Sequence, residues 1–331
     1  MYRVYATRKM KIDAVMYLRM LDKEGIKGSL TKMRDELKPV EPFNGLNGLD
    51  DFKNYLTDII KYYPLIQIMP LNFFERFMNH HPNITKLSGA DLKKEFYSTG
   101  TSKVSFSKMI ISRMRYDADA KRLIAPFLKD YGFNACVYCN QSPIRYNSNN
   151  IIDTGTLDHI YNKDRYPFLC TSFFNFVPCC GECNGPRRKG ERRIGFRPYR
   201  EDESIKGSPF KFIFDIKAFG KFCSDNDVDL DFGEDPDMGD LDTLETYNEV
   251  FKIGSDYQNY KYMVCDVVND ETFQSIEQNN TAGAASNGRL KPDPERVRKI
   301  LRVYSLDEKD IHKRMYMKLL LDLGKHLGLI T

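Results

Sequence analysis

Two C-x-x-C turns, Cys136/Cys139 and Cys180/Cys183, stand 40 residues apart. Nothing else in the chain restricts its folding as strongly. Four thiolates on two such turns satisfy the tetrahedral preference of Zn²⁺, and a closed Cys₄ set leaves no open coordination position. The spacing therefore predicts a structural zinc clip. Its loop is longer than that of a simple zinc ribbon, so it encloses an insertion. The insertion and its exit carry Asp158-His159, Asn175 and Asn184, hard oxygen donors beside one imidazole. Cys180 fits both the C-x-x-C spacing and a five-residue offset from Asn175. The adjacent Cys179 is then a buried bystander, and Cys170, Cys223 and Cys265 follow no pattern.

Charge is distributed unevenly along the 331 residues. The net charge is +4, yet residues 131–200 hold ten Lys/Arg against five Asp/Glu, so everything outside that segment sums to −1. A positive field concentrated beside the cysteine clip suits a phosphate-backbone ligand. Seven of the basic side chains fall within 187–200 against the single acid Glu191. Arg187, Arg188, Lys189, Arg192 and Arg193 are the candidate nucleic-acid grip, since guanidinium groups take phosphate oxygens bidentately. A generic basic surface patch is the alternative. The cysteine spacing is not that of a disulfide framework, and no stretch has signal-peptide or membrane-span character, so the expectation is a cytoplasmic protein without a membrane partner.

The conjunction of two cysteine knuckles, Asp158-His159, and Asn175 five residues ahead of C-x-x-C-Asn resembles the HNH (ββα-metal) endonuclease family in its zinc-stapled form. The resemblance covers about 131–200. The phrases Tyr166-Pro-Phe-Leu169 and Asn175-Phe-Val-Pro-Cys179 look most like nucleases of bacterial anti-phage defence, including Septu-type and retron-associated effectors. The resemblance implies that 157–160 lies on a first strand, Asn175 on a second, and that Cys183-Asn184 begins the helix. It implies His159 as general base, Asp158 and Asn184 as ligands of a catalytic Mg²⁺ or Mn²⁺, and Asn175 as the residue that holds the catalytic loop. It further implies DNA as substrate, 5′-phosphate and 3′-hydroxyl products, and an ATPase or a reverse transcriptase with its noncoding RNA as partner. One departure from the family is Gly185-Pro186 after Asn184, because proline disfavours helical geometry at the preceding residue. Because neighbouring strand residues point to opposite faces, Asp158 and His159 need a twisted or bulged hairpin to converge. An RNA or tRNA target stays open, as does a non-catalytic zinc-stabilised binding module.

The flanks read as an α+β chain, mostly helical, with the zinc-stapled core embedded in it: 1–130 helical, 131–200 the core, 201–331 a small β-hairpin region ending in two helices. Leu49 to Tyr63 predicts a helix stopped before Pro64, and His80-His81 a solvated helix end. Ser88 to Tyr97 reads as a further helix. Alternation over Phe210–Ile216 and Val228–Phe232 predicts strands; the acidic run 225–242 fails the grammar of a calcium loop, and its alternating Asp227, Asp229 and Asp231 read as an outward strand face. Small polar residues predict a flexible loop at about 279–290. Asp293-Pro294 opens one closing helix, and a capping box at Ser305/Glu308 opens another through to Gly324.

Overall fold

The buried stripe Phe52, Tyr55, Leu56, Ile59, Tyr63 and Ile66 fixes the longest helix, Leu49–Ile68. It runs through Pro64 instead of stopping there. Proline removes one N–H, but the apolar face continues on both sides of it, and burial outweighs the lost hydrogen bond. The computed structural model describes residues 4–23, 25–41, 48–98, 101–192, 194, 198–200, 208–218, 222–234, 247–283 and 292–330. Around the long helix pack Arg8–Asp22, Ile26–Asp35, Phe74–His80 and Phe106–Arg113. The expected helix from Ser88 to Tyr97 is only Gly89–Leu92. It gives way to a strand, Glu95–Tyr97, paired with Lys103–Ser105, whose Phe96 is buried against Phe52 and Phe106. After Phe106–Arg113, a wide turn Tyr116–Ala120 leads into the helix Lys121–Asp130 and the first knuckle.

The fold is mixed α+β, and every sheet among the described residues has two strands. The central pair is antiparallel, Thr156–His159 against Phe176–Cys179, with Asp158 opposite Val177 and His159 opposite Phe176. Gly155 precedes it at φ 109°, where a Cβ would stand 2.6 Å from Ile144 and 3.0 Å from the Cys179 carbonyl, so only glycine fits. The second strand feeds the short helix Gly181–Asn184. At the far end, Val4–Tyr5 pairs in parallel with Tyr199–Arg200 and ties the start of the chain to the exit of the central segment.

The C-terminal region holds the expected hairpin, Phe210–Ile216 with Val228–Glu234. Asp229 and Asp231 lie on its exposed face, and Lys217 pairs with Asp229. Residues 279–283, expected in a loop, instead close the helix Glu271–Gly283; the remainder, 284–290, lies outside the described residues. Asp270 caps that helix through the amides of Thr272 and Phe273, and Phe273 is buried, so a well-anchored first turn carries the helix into its polar end. The helix Pro294–Ile300 is capped by Asp293 as expected. The last segment is not one helix. Asp307 caps a 3₁₀ stretch, Glu308–Lys313, and the chain turns through Tyr316 at φ 59° before Met317–His326.

Two apolar interiors divide the molecule. One gathers the N-terminal helices together with Val137, Ile160, Tyr161 and 168–177; the other gathers the C-terminal elements together with Tyr138, Cys179 and the four knuckle cysteines. The central segment thus sits in the seam, sharing its side chains between both. Among the described residues no helix is long and apolar enough to cross a membrane.

Candidate metal centre and active site

Cys136, Cys139, Cys180 and Cys183 are buried, and their sulfur atoms all lie within 4.8 Å of one another. Cys139 and Cys180 are 3.9 Å apart, close to the edge of about 3.8 Å that a tetrahedron with Zn–S bonds of about 2.3 Å would have. The cluster can therefore hold an ion such as zinc. Local geometry prepares it: the Cys183 amide donates to Cys180 Sγ at 3.4 Å, and the Val137 amide reaches the Pro178 carbonyl at 3.4 Å. The first knuckle thereby docks on the strand that leads to the second. Burial, above all, raises the Cys136 thiol, a penalty that a cation at the site reverses. Cys179 stands apart from the four, with its thiol against Thr156 Oγ1.

Carbonyls and side chains of the first knuckle are held from the C-terminal region. Tyr247 donates to the Tyr138 carbonyl at 2.5 Å, and Tyr257 to the Cys139 carbonyl at 2.8 Å. Asn140, at φ 56° and 1% exposed, donates to the carbonyls of Ile311 and Arg314 and accepts from the Lys318 amide, while its own carbonyl takes the Tyr316 amide. These bonds satisfy the backbone at the break between the last two helical segments. They explain why the helix expected from Ser305 is interrupted there.

The strand Thr156–His159 sends alternate side chains to opposite faces. On one face, Asp158 is 5% exposed and accepts from Tyr138 at 2.5 Å. Burial, reinforced by Asp158, holds the Tyr138 hydroxyl well above its ordinary value, so it remains a donor. Lys189, 1% exposed, places its ammonium 2.9–3.0 Å from both Asp158 oxygens and donates to the His159 carbonyl at 2.9 Å. Asn184 joins this face by donating to Thr156 Oγ1 at 3.1 Å. Oxygen donors of Asp158 and Asn184 suit Mg²⁺ or Mn²⁺ chemically, but such an ion would contend with Lys189 for the Asp158 carboxylate.

His159 lies on the opposite face, so the strand does not bring its imidazole to the Asp158 carboxylate. No register shift relieves this, because the pairing is regular through both residues. The ring packs on Tyr116 at 4.7 Å and Phe176 at 5.3 Å, and Nε2 stands 2.9 Å from the Cys170 carbonyl. A carbonyl only accepts, so Nε2 carries the proton and Nδ1 keeps the lone pair. Burial pushes the His159 pKa down to about 3, which keeps the ring neutral. Asn175, fully buried, donates to the carbonyls of Tyr161 and Leu169 and accepts from the Tyr161 amide, closing the loop that follows His159. The N-terminal helices back that loop. Thr171 donates to Gln67 of the long helix at 2.7 Å, and Phe74 packs on Tyr161 at 4.6 Å.

The basic run divides. Arg187 and Arg192 are exposed. Arg188 is held between Glu182 at 2.7 Å and Asp256 at 2.9 Å, and Lys189 is interior, so neither projects freely toward a phosphate. Arg193 lies outside the described residues. The helix that was to begin at Cys183-Asn184 instead ends there. Gly185 is extended (φ −68°, ψ 162°) ahead of Pro186, and the turn beyond it carries Lys189 back beneath Asp158. Tyr138, Asn140, Tyr116 and the inward course of Lys189 have no local sequence signal, since each acts on a partner far along the chain. No family profile, no curated protein and no solved structure matches this chain.

Proposed function

We propose that this chain is a metal-dependent endonuclease of the HNH type that hydrolyses DNA phosphodiester bonds, leaving 5′-phosphate and 3′-hydroxyl ends. One observation carries the reading. A two-stranded antiparallel pair bearing Asp158 and His159 runs directly into a short helix bearing Asn184, and four cysteines clamp its entry to its exit. His159, with its proton fixed on Nε2 by the Cys170 carbonyl, would take a proton from the attacking water on Nδ1 once substrate binding turns the ring toward the Asp158 face, because the regular strand holds the two side chains on opposite faces. Asn175 holds the loop that carries that carbonyl. Asp158 and Asn184 would hold Mg²⁺ or Mn²⁺, which supplies charge neutralisation on the phosphoryl oxygens and the leaving alkoxide. The four cysteines would hold zinc in a purely structural role.

The test is nicking of supercoiled plasmid with Mg²⁺ or Mn²⁺, alongside structured RNA. His159→Ala is expected to slow cleavage by roughly 10²–10⁴-fold. Full activity in a contaminant-free His159→Ala preparation removes the assigned base. A zinc-stapled binding module is the second reading, favoured by the Lys189 ammonium already seated on Asp158. It predicts nucleic-acid binding that is indifferent to divalent ions, with no cleavage. For an effector of anti-phage defence, Asp158→Ala expressed with its neighbouring genes abolishes phage protection; unchanged protection excludes that role.

A further inference from the structure

The face on which His159 lies is edged by groups to which the roles above give no part. Tyr116 rests its ring 4.7 Å from the imidazole and stacks on Phe176 at 6.1 Å. Two ammonium groups converge on that same ring from different elements. Lys121, at the start of the helix Lys121–Asp130, has Nζ 4.6 Å from the ring centroid; Lys163, in the loop after His159, has Nζ 5.9 Å from it. A cation over an aromatic face is held in place yet keeps its hydrogen-bonding protons for another partner. Lys121 also pairs with Asp117 at 2.5 Å, but the side chains are 46% and 73% exposed, and exposed pairs of this kind hold weakly. A phosphate oxygen can take the place of Asp117. The contrast with the 187–193 run is direct, because Arg188 and Lys189 there are engaged by carboxylates of the protein itself.

We propose that Lys121 and Lys163, seated on Tyr116, form a phosphate-binding edge that lays the backbone of a DNA strand beside His159. This deepens the nuclease reading and rests on it for the identity of the ligand. Lysine suits the task, being a compact charge that grips phosphate without reading bases, so binding through this edge is tolerant of sequence.

Fluorescence anisotropy with a labelled DNA duplex, on the full chain without added divalent ion, tests the edge separately from cleavage. Each of Lys121→Ala and Lys163→Ala is expected to lower the slope of log affinity against log salt by about 1, and the pair by about 2. Charge reversal, Lys163→Glu, weakens binding about tenfold or more at low salt, and Asp117→Asn tightens it by freeing Lys121. Thermal melts and zinc content identify any variant that has lost its fold, and Lys163→Gln provides a milder second variant at the loop position. Slopes and affinities unchanged in folded Lys→Ala variants overturn the edge, even where plasmid nicking persists. A loss of slope in a protein that never nicks leaves the edge standing and removes the nuclease instead.

Discussion

At the scale of single residues, the interior ammonium of Lys189 governs the chemistry open to Asp158. Each charge is compensated chiefly by the other, within 3.0 Å of it, with the Tyr138 hydroxyl and the His159 carbonyl completing the set. Lys189→Met is therefore expected to cost about 3–5 kcal/mol, by stranding a buried carboxylate. Denaturant melts measure that loss. If Asp158 accepts a divalent ion, Mn²⁺ should raise the melting temperature more in Lys189→Met than in the parent; an equal or smaller rise denies Asp158 that role. Asp158, His159 and Asn184 were legible in the sequence as residue types with suitable spacing. The lysine was legible only as a positive charge, because the Gly185-Pro186 break that turns it inward is a local signal whose spatial outcome depends on the far strand. Asn140 is similar: it follows Cys139 in plain view, but its partners begin 171 residues later.

Among the elements, those with a strong local period were readable. The hairpin Phe210–Ile216 with Val228–Glu234 follows from alternation alone, and the cysteine knuckles from their spacing. Elements whose ends are set by distant partners were not. Leu49–Ile68 outruns its proline because its buried face, Tyr63 before Pro64, resumes at Ile66 and Gln67 beyond it, and the closing helix breaks where Asn140 inserts its amide. Cys180 is both a member of the sulfur cluster and the acceptor that caps the helix Gly181–Asn184. Elemental analysis of the purified chain is expected to give about one zinc per chain, and Cys180→Ser well under half of that with an early thermal transition. Full zinc retention in Cys180→Ser would show that the cluster is not the zinc site.

At the scale of the whole molecule, His312 reports on the seam between the two interiors. Its Nε2 meets the Tyr131 carbonyl at 3.0 Å, its carbonyl takes the amides of Asn134 and Ala135, and its ring packs on Phe133. Burial lowers its pKa from 6.5 to about 4, with Lys313 assisting and Asp310 opposing. The unfolded chain therefore takes up this proton first. Stability from the neutral ring is complete above pH 6.5 and drains away as the pH falls toward 4, by on the order of 3 kcal/mol. His312→Gln keeps a donor for the Tyr131 carbonyl but cannot titrate, so its stability should fall less steeply across that window. Equal slopes in the two proteins remove His312 as the source.

The embrace of the first knuckle by Tyr247, Tyr257 and the 311–318 segment has a consequence for the order of synthesis. A nascent polypeptide that has just delivered Arg200 already owns all four sulfurs, the imidazole and both asparagines. The turn carrying Cys136 and Cys139 still lacks its hydroxyl donors and the strap beneath Asn140. Translation must travel more than a hundred codons further before that corner can set, so the sulfur cluster acquires its full support only after the 311–318 segment has been made.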